Sequence, residues 1–531
     1  MGPATRIAAQ TAGPARPALP SAPTARAIGT LAVRWLVLLA ATVITFQRSI
    51  TSVLDDLAAG GGLQYLPAVW VYAVVAAIWT HHRARRSLDI HDRETDVIVG
   101  LLCCGFAVLS AALLGEPLSG VYYLWRIDLA MMSVFAFGAS IVLFGLRRTL
   151  YYRWAWAVLL LGWPLVGRVM LYTVGGGRAV ALALLHLAVV VGLQIVLRRR
   201  DDRWWYVAPA LSAAVGACLL PLLDLYEHPG RLVVPALVAA AVGLAVLAFR
   251  ARRRRRDAGT AGTAGTAGTI WPTVRPPVVQ RPWGSVAVLA VITLVGAVAI
   301  PPAPPVTTPV AIPYESAAGG PGPLAPPGWT QVSTVDEPQP ARLFGSGATW
   351  QRHRLVASAA APQPGAVDAQ GRLRTVVVDV LTTRRPRSLV IFPVVVTYPM
   401  GRLSLSESAS VPIGSGVMAT VDAAVDARRQ LTWTMVSFTI ALPGRLAVPD
   451  GVLAAEPVVW QRITLIAVDD HEPGAPFPEP TNALLDSIRA AATHIVRGSA
   501  GGAGGDAEAK DADLLVALAA EILAQRETGA R

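Results

Sequence analysis

Long apolar runs separated by short polar breaks dominate the chain up to residue 301. Nine such runs stand out, at 30–46, 63–80, 97–115, 127–146, 154–174, 179–197, 204–224, 232–249 and 284–301. Each is roughly 17–22 residues long, the length a helix needs to cross the hydrocarbon core. They are solid Ala, Leu and Val rather than alternating, so the pattern predicts helices and not barrel strands.

After residue 301 the pattern changes. A Pro/Gly-rich stalk over 302–328 leads to a domain over 329–498. There, Thr375–Thr383, Leu389–Tyr398, Val417–Ala423, Leu431–Leu442 and Val458–Val468 are rich in Val, Ile, Thr and aromatics and are bounded by Gly, Pro and Asp. These read as strands. Asn482–Arg497 reads as a helix, and a Gly-rich spacer within 499–531 precedes a last helix, Asp511–Gln525, with apolar residues at helical spacing. Residues 1–28, mostly Ala, Pro, Thr and Arg, read as a disordered N-terminus. The stretch 251–283 reads as a linker, Arg-rich at first and then with Ala-Gly-Thr four times over 258–269.

Charge orients this pattern. With the N-terminus in the cytoplasm, the cytoplasmic loops hold Arg83, Arg85 and Arg86, then Arg147-Arg148, Arg198 to Arg200, and Arg250 to Arg256. The outer loops hold Asp55-Asp56, Glu116, Arg178, Asp224 and Glu227. Lys and Arg collect in cytoplasmic loops. An odd helix count then places everything after Pro301 outside. The expected fold class is an α-helical polytopic bundle of the cell membrane, with about nine spans (eight over 29–250, the ninth at 284–301). It carries a C-terminal α+β, β-rich extracytoplasmic domain.

Composition agrees: the 531 residues are 53% hydrophobic, with mean hydropathy +0.49. The net charge of +12 lies between apolar runs, which argues for topology and against a nucleic-acid partner. The three cysteines, Cys103, Cys104 and Cys218, all fall in predicted helices. They offer neither a disulfide framework nor a metal spacing, and no cofactor is implied.

Ionisable residues inside a membrane are the natural functional candidates. Arg126 and Asp128 open the fourth span, Arg168 lies near the outer end of the fifth, and Asp224, Glu227 and His228 close the seventh. Cys218 lies six residues before Asp224, about 9 Å deeper along a helix, and His186 sits inside the sixth span. Two readings stand side by side. In one, these groups meet headgroups or each other at the interface. In the other, Cys218 is a nucleophile, His228 a base and Arg168 an oxyanion or carboxylate binder. Cys103-Cys104-Gly105 is a second cysteine candidate, weighed against small apolar filling.

The order of several motifs is familiar. His91 to Gly100, Leu124-Trp125-Arg126-Ile127-Asp128-Leu129, Leu143 to Arg148 and Leu160-Leu161-Gly162-Trp163-Pro164-Leu165 follow one another. Upstream stand Gln64-Tyr65-Leu66-Pro67, Trp79 and the Arg83, Arg85, Arg86 cluster. In this order they resemble the N-terminal half of actinobacterial exosortase/archaeosortase-family proteins. The downstream domain is similar to the one appended to such proteins, through Pro327-Gly328-Trp329, Trp350-Gln351-Arg352, Val376 to Val380, Tyr398 and Trp460-Gln461-Arg462-Ile463.

The resemblance implies a membrane cysteine peptidase or transpeptidase that recognises a C-terminal sorting signal on exported proteins at the outer membrane face. The family's Cys-Ser-Gly and Asn-x-x-Arg motifs are missing after Trp163-Pro164. His228-Pro229-Gly230 resembles the last motif, so His228 alone is carried over. The implied protein is a divergent relative, for which both a cysteine peptidase and a catalytically degenerate form stay open. Two other expectations remain open: a non-enzymatic membrane anchor or assembly factor presenting an outer binding domain, and a transporter. Against the transporter stands the lack of visible inverted repeats.

Overall fold

The computed structural model describes residues 25–58, 65–81, 93–115, 121–174, 187–194, 207–225, 234–260, 283–304, 310–311, 325–398, 404–426, 431–442, 459–469, 476–480 and 509–528, with single residues inside these stretches excepted, together with Leu63 and Leu118. The predicted helix Asn482–Arg497 lies outside them, as does most of the Ala-Gly-Thr repeat.

The helical part runs α1 (Ala25–Thr45), α2 (Gln47–Ala58), α3 (Leu66–His81), α4 (Arg93–Leu113), α5 (Tyr122–Trp125), α6 (Ile127–Phe144), α7 (Leu146–Tyr151), α8 (Arg153–Leu161) and α9 (Pro164–Val174). It continues with α10 (187–194), α11 (Val207–Leu225), α12 (Val234–Thr260) and α13 (Trp283–Ala299). Among the described residues α4 and α6 are long and apolar enough to cross a membrane. A third crossing is possible through α1 and α2 taken as one pair, bent by 78°. Four shorter apolar helices accompany them: Leu66–Ile78, Pro209–Leu219, Ala236–Val246 and Gly284–Ala299.

Three predicted boundaries change. The run 30–46 is followed by a separate helix, α2, which apolar content alone did not mark. The run 154–174 is two helices, because Gly162-Trp163-Pro164 interrupts it; Pro164 lacks the N–H needed to continue α8 and instead starts α9. And α12 carries on through Arg252 to Thr260, into the stretch predicted as linker, since arginine is a good helix former.

The helices pack in two groups. α1, α4, α6 and α13 share one core through Leu38, Phe46, Cys104, Val108, Phe135 and Leu289. α3, α8, α10 and α12 share another through Tyr72, Val158, Val190 and Ala239, with Val53 of α2 and Leu129 of α6. α4 and α6 meet backbone to backbone at Gly100 and Gly138. A Cβ on Gly138 would lie 2.7 Å from the Gly100 carbonyl oxygen and 2.8 Å from Cys103 Cβ. Close approach through small residues is how helices pack where no hydrophobic force separates side chain from solvent.

The C-terminal domain is a nine-stranded, mainly antiparallel sheet. Its strands are β1 (Val310–Ala311), β2 (Trp329–Asp336), β3 (Thr349–Ala357), β4 (Thr375–Thr383), β5 (Ser404–Leu405), β6 (Ala409–Gly414), β7 (Val417–Asp426), β8 (Leu431–Leu442) and β9 (Val459–Val468). The main path is β2-β3-β4-β9-β8-β7-β5; β6 pairs with β7, and β1 pairs in parallel with β8. Four of the five predicted strands are present. The fifth, Leu389–Tyr398, is instead two short helices, α15 (Pro386–Ile391) and α16 (Val394–Thr397). Pro386 starts the first and Pro393 caps the second, and a proline cannot donate to a ladder.

Strand alternation gives the sheet two buried faces. Val376, Val378 and Val380 of β4 point to one, with Ile463, Leu465 and Ala467 of β9. That face is covered by α17 (Ala512–Thr528) through Leu514, Leu515, Leu518, Ile522 and Leu523. Val377 and Leu381 point the other way, toward α14 (Ala341–Phe344), α15 and α16. Leu124 of α5 joins this second core. The sheet domain is thereby seated on one end of the helical bundle.

Candidate functional site

At the seat between helices and sheet domain Asp56, Arg126, Asp128, Arg168 and Arg387 converge. α2 lies across this end of the bundle and is two-sided. Gln47, Arg48, Ser49, Thr51, Ser52, Asp55 and Asp56 make its polar side, of which Ser49 and Ser52 meet Arg126 and Asp56 lines a recess, while Ile50, Val53, Leu54 and Leu57 recur at helical spacing on its apolar side.

Arg126 stands in the break between α5 and α6, in left-handed backbone with φ 43°. That conformation costs a non-glycine residue about 1–2 kcal/mol. The surroundings hold it there. The Arg126 N–H donates to the Tyr122 carbonyl at 2.8 Å, and Trp163 Nε1 donates to the carbonyls of Trp125 at 2.6 Å and Arg126 at 3.2 Å. The guanidinium is only 1% exposed. Its Nε and Nη2 donate to the two Asp128 oxygens at 3.2 and 3.1 Å, and Nη1 donates to Ser52 Oγ at 3.2 Å. Tyr122 OH donates to Asp128 at 2.9 Å. The charge is thus paired and the planar fork is used bidentately.

Arg168, one turn into α9, donates from Nη1 to the carbonyls of Tyr123 and Leu124. It therefore ties α9 to the open end of α5. From the sheet side, Arg387 of α15 places Nη1 3.3 Å from Asp56 Oδ1, and the Leu63 N–H donates to the other Asp56 oxygen at 3.1 Å. Asp56, Leu63, Tyr123, Arg126, Arg168, Arg387, Val390 and Ile391 surround a recess. Its open centre measures about 10 Å³, the size of one water.

Of the two described residues of the predicted catalytic set, Arg168 and Cys218, Arg168 lines this recess. Cys218 is exposed on α11 and is not among the lining residues. His186, Glu227, His228 and the side chain of Asp224 lie outside the described residues. Cys103 and Cys104 belong to the α4–α6 seam. Cys104 is fully buried there, its Sγ 3.6 Å from the Phe135 carbonyl, which is the place of a small packing residue. Among the described residues no group of three or more His, Cys, Asp or Glu stands together as a metal site.

The sequence reading missed Asp56 as a partner and missed Arg387. Both had a signal, in Asp55-Asp56 and in Arg384-Arg385-Pro386-Arg387. Nothing in the chain's local pattern joins the two.

Four of the sheet-domain residues quoted for the resemblance, Arg352, Asp379, Tyr398 and Arg462, meet in a second buried cluster. The strand register sets Arg352 opposite Asp379, and Asp379 opposite Thr464. Arg352 grips Asp379 through Nε at 2.8 Å and Nη2 at 2.7 Å. Tyr398 OH donates to the same carboxylate. Burial, together with that negative charge, pushes the Tyr398 phenol well above its ordinary range. Arg462 donates to the carbonyls of Phe392 at 2.6 Å and Leu389 at 3.4 Å, which close the end of α15. Burial pulls its guanidinium down to about 10. The donors of this cluster go to backbone and to one another. It holds the two short helices against the sheet, and these helices in turn carry Arg387.

No protein-family model matches the chain, and neither curated proteins nor solved structures give a significant match.

Proposed function

We propose that this chain is an exosortase-like protein of the cell membrane that takes part in sorting or processing exported proteins at the outer face. In this reading it works as a binding and presenting protein, without a cysteine nucleophile. One observation carries it: the recess formed by Arg126, Arg168 and Asp56 is roofed by the sheet domain through Arg387, and no cysteine lines it.

The nine-span topology, N-terminus inside and sheet domain outside, belongs to the same reading. Arg34 of α1 lies within electrostatic range of both Arg93, which starts α4, and Arg148, just beyond α6, at the ends of these helices remote from the sheet domain. Gathered arginines at one end, with the folded domain at the other, are what a cytoplasmic basic face requires.

The test is a deletion strain compared for its anchored and released exported proteins, then complemented. Wild type and Cys218→Ala are expected to restore the pattern equally, while Arg387→Glu is expected to fail. If Cys218→Ala accumulates normally yet does not complement, the chain is a cysteine enzyme. If the deletion leaves every exported protein in place, the sorting role is wrong. Protease added to intact cells should cut within the sheet domain; protection would reverse the topology.

A further inference from the structure

A second cavity lies beside α2, about a third of a turn around the helix from Asp56 and the arginine recess. It measures about 200 Å³ and is lined by Ile50, Val53, Leu54, Leu57 from α2, with Trp70, Met132 and neighbouring apolar residues from α3, α6 and α8. Ser133 is the single hydroxyl in its wall. Leu54 and Trp70 are 58% and 47% exposed. The cavity therefore opens sideways, on the surface a bilayer would cover.

The two chambers are joined through shared parts. Trp163 lines the apolar cavity and donates to the Arg126 carbonyl beside the recess. Leu63 lines the recess and packs in the same cluster as Val53, Leu66 and Val69 of the cavity. One helix thus gives apolar side chains to the cavity and Asp56 to the recess, where Arg126 is held by Asp128, Arg168 by backbone carbonyls, and Arg387 stands at the rim beside Asp56. An occupant matching both has a long apolar tail and a compact anionic head. Guanidiniums match phosphate oxygens in geometry and charge.

We propose that this pair of chambers binds one phosphate-headed anionic phospholipid, taken laterally from the bilayer. Its acyl chain lies under α2 and its phosphate meets Arg387 at the mouth of the recess. The centre of the recess, one water in size, keeps the head at that mouth, where the Arg387 side chain is 27% exposed. The site does not depend on what the chain does to exported proteins.

The experiment uses the full chain purified in mild detergent and mixed with phosphatidylglycerol or phosphatidylcholine at equal concentration. Native mass spectrometry counts retained lipid, and thermal unfolding is read alongside. Wild type is expected to retain phosphatidylglycerol at least fivefold over phosphatidylcholine and to melt several degrees higher with it. Leu54→Trp, at the exposed mouth, should lower retention of both lipids at least fivefold without changing the melting temperature in detergent alone. Ser133→Phe, filling the cavity from inside, provides the same reading if the first variant folds poorly. Arg387→Glu should keep lipid but lose the preference. Equal retention of the two lipids by wild type overturns the proposal, as does undiminished phosphatidylglycerol in a folded Leu54→Trp or Ser133→Phe protein.

Discussion

Arg387 Nη1 stands 3.3 Å from Asp56 Oδ1, and this ion pair joins a short helix of the sheet domain to the helix that lies across the end of the bundle. Asp56 is the more buried partner, and its second oxygen is held by the Leu63 N–H. Removing Arg387 leaves a carboxylate that has lost its counter-charge in a nearly closed recess. The pair is partly exposed, so Arg387→Ala is expected to cost about 1–2 kcal/mol, well below the 3–5 of a fully buried pair. Arg387→Glu should cost more, and the swap Asp56→Arg with Arg387→Asp should recover part of the loss. Limited proteolysis near α5 reads this directly: cutting there should rise in the single variants and fall again in the swap.

The seam between α4 and α6 makes a sharper demand. A Cβ at Gly138 would meet the backbone oxygen of Gly100 and the Cys103 Cβ, neither of which is a flexible side-chain end. Gly138→Val is expected to cost about 3 kcal/mol, at the upper end of overpacking, and to lower the melting temperature in detergent. Cys104→Ala, which removes one buried sulfur from the same seam, should cost about 1 kcal/mol or less. A Gly138→Val protein that melts with wild type would mean the two helices do not touch there.

Asp379 is the hub of the sheet domain's polar core. Asp379→Ala removes the acceptor of the Tyr398 hydroxyl and leaves the Arg352 guanidinium only the Pro478 carbonyl and Glu337, and is expected to cost about 3 kcal/mol. Tyr398→Phe removes one hydrogen bond and should cost about 1–2. If the two losses in chemical unfolding are alike, the ion pair with Arg352 contributes little.

His353 gives a pH dependence with a definite sign. It is buried in β3, with Nδ1 3.1 Å from Thr334 Oγ1 and Nε2 buried without a hydrogen bond among the described residues. Burial holds its imidazole below the ordinary 6.5. Below pH 6.5 the unfolded chain takes up a proton that the folded one does not. Folding stability therefore falls as pH drops from 6.5 toward the folded value, by at most about 1.4 kcal/mol per pH unit. His353→Phe should flatten that slope in unfolding followed between pH 7 and 5. An unchanged slope would place the titrating group elsewhere.

Where the chain's own periodicity speaks, it speaks locally. The solid apolar runs marked α4 and α6 to within a few residues, and the Val/Thr-rich stretches marked β4, β7, β8 and β9. β3 was not marked, because Trp350-Gln351-Arg352-His353-Arg354 puts charge on a strand whose face is buried around Asp379. Leu389–Tyr398 looked like a strand because β-branched residues dominate it, and Pro386 and Pro393 decided otherwise.

The sequence by itself determined that greasy helices come first and a strand-rich domain follows, because burying an apolar run needs only its own length and spacing. It also pointed to Arg126, Asp128 and Arg168 as charges with reason to cluster. Only the tertiary structure decided that Arg168 ties α9 to α5, that Cys218 stands apart from the recess, and that Arg387 closes over Asp56. Those are pairings between distant segments, set by how the sheet domain seats on the bundle, and no local pattern of residues encodes them.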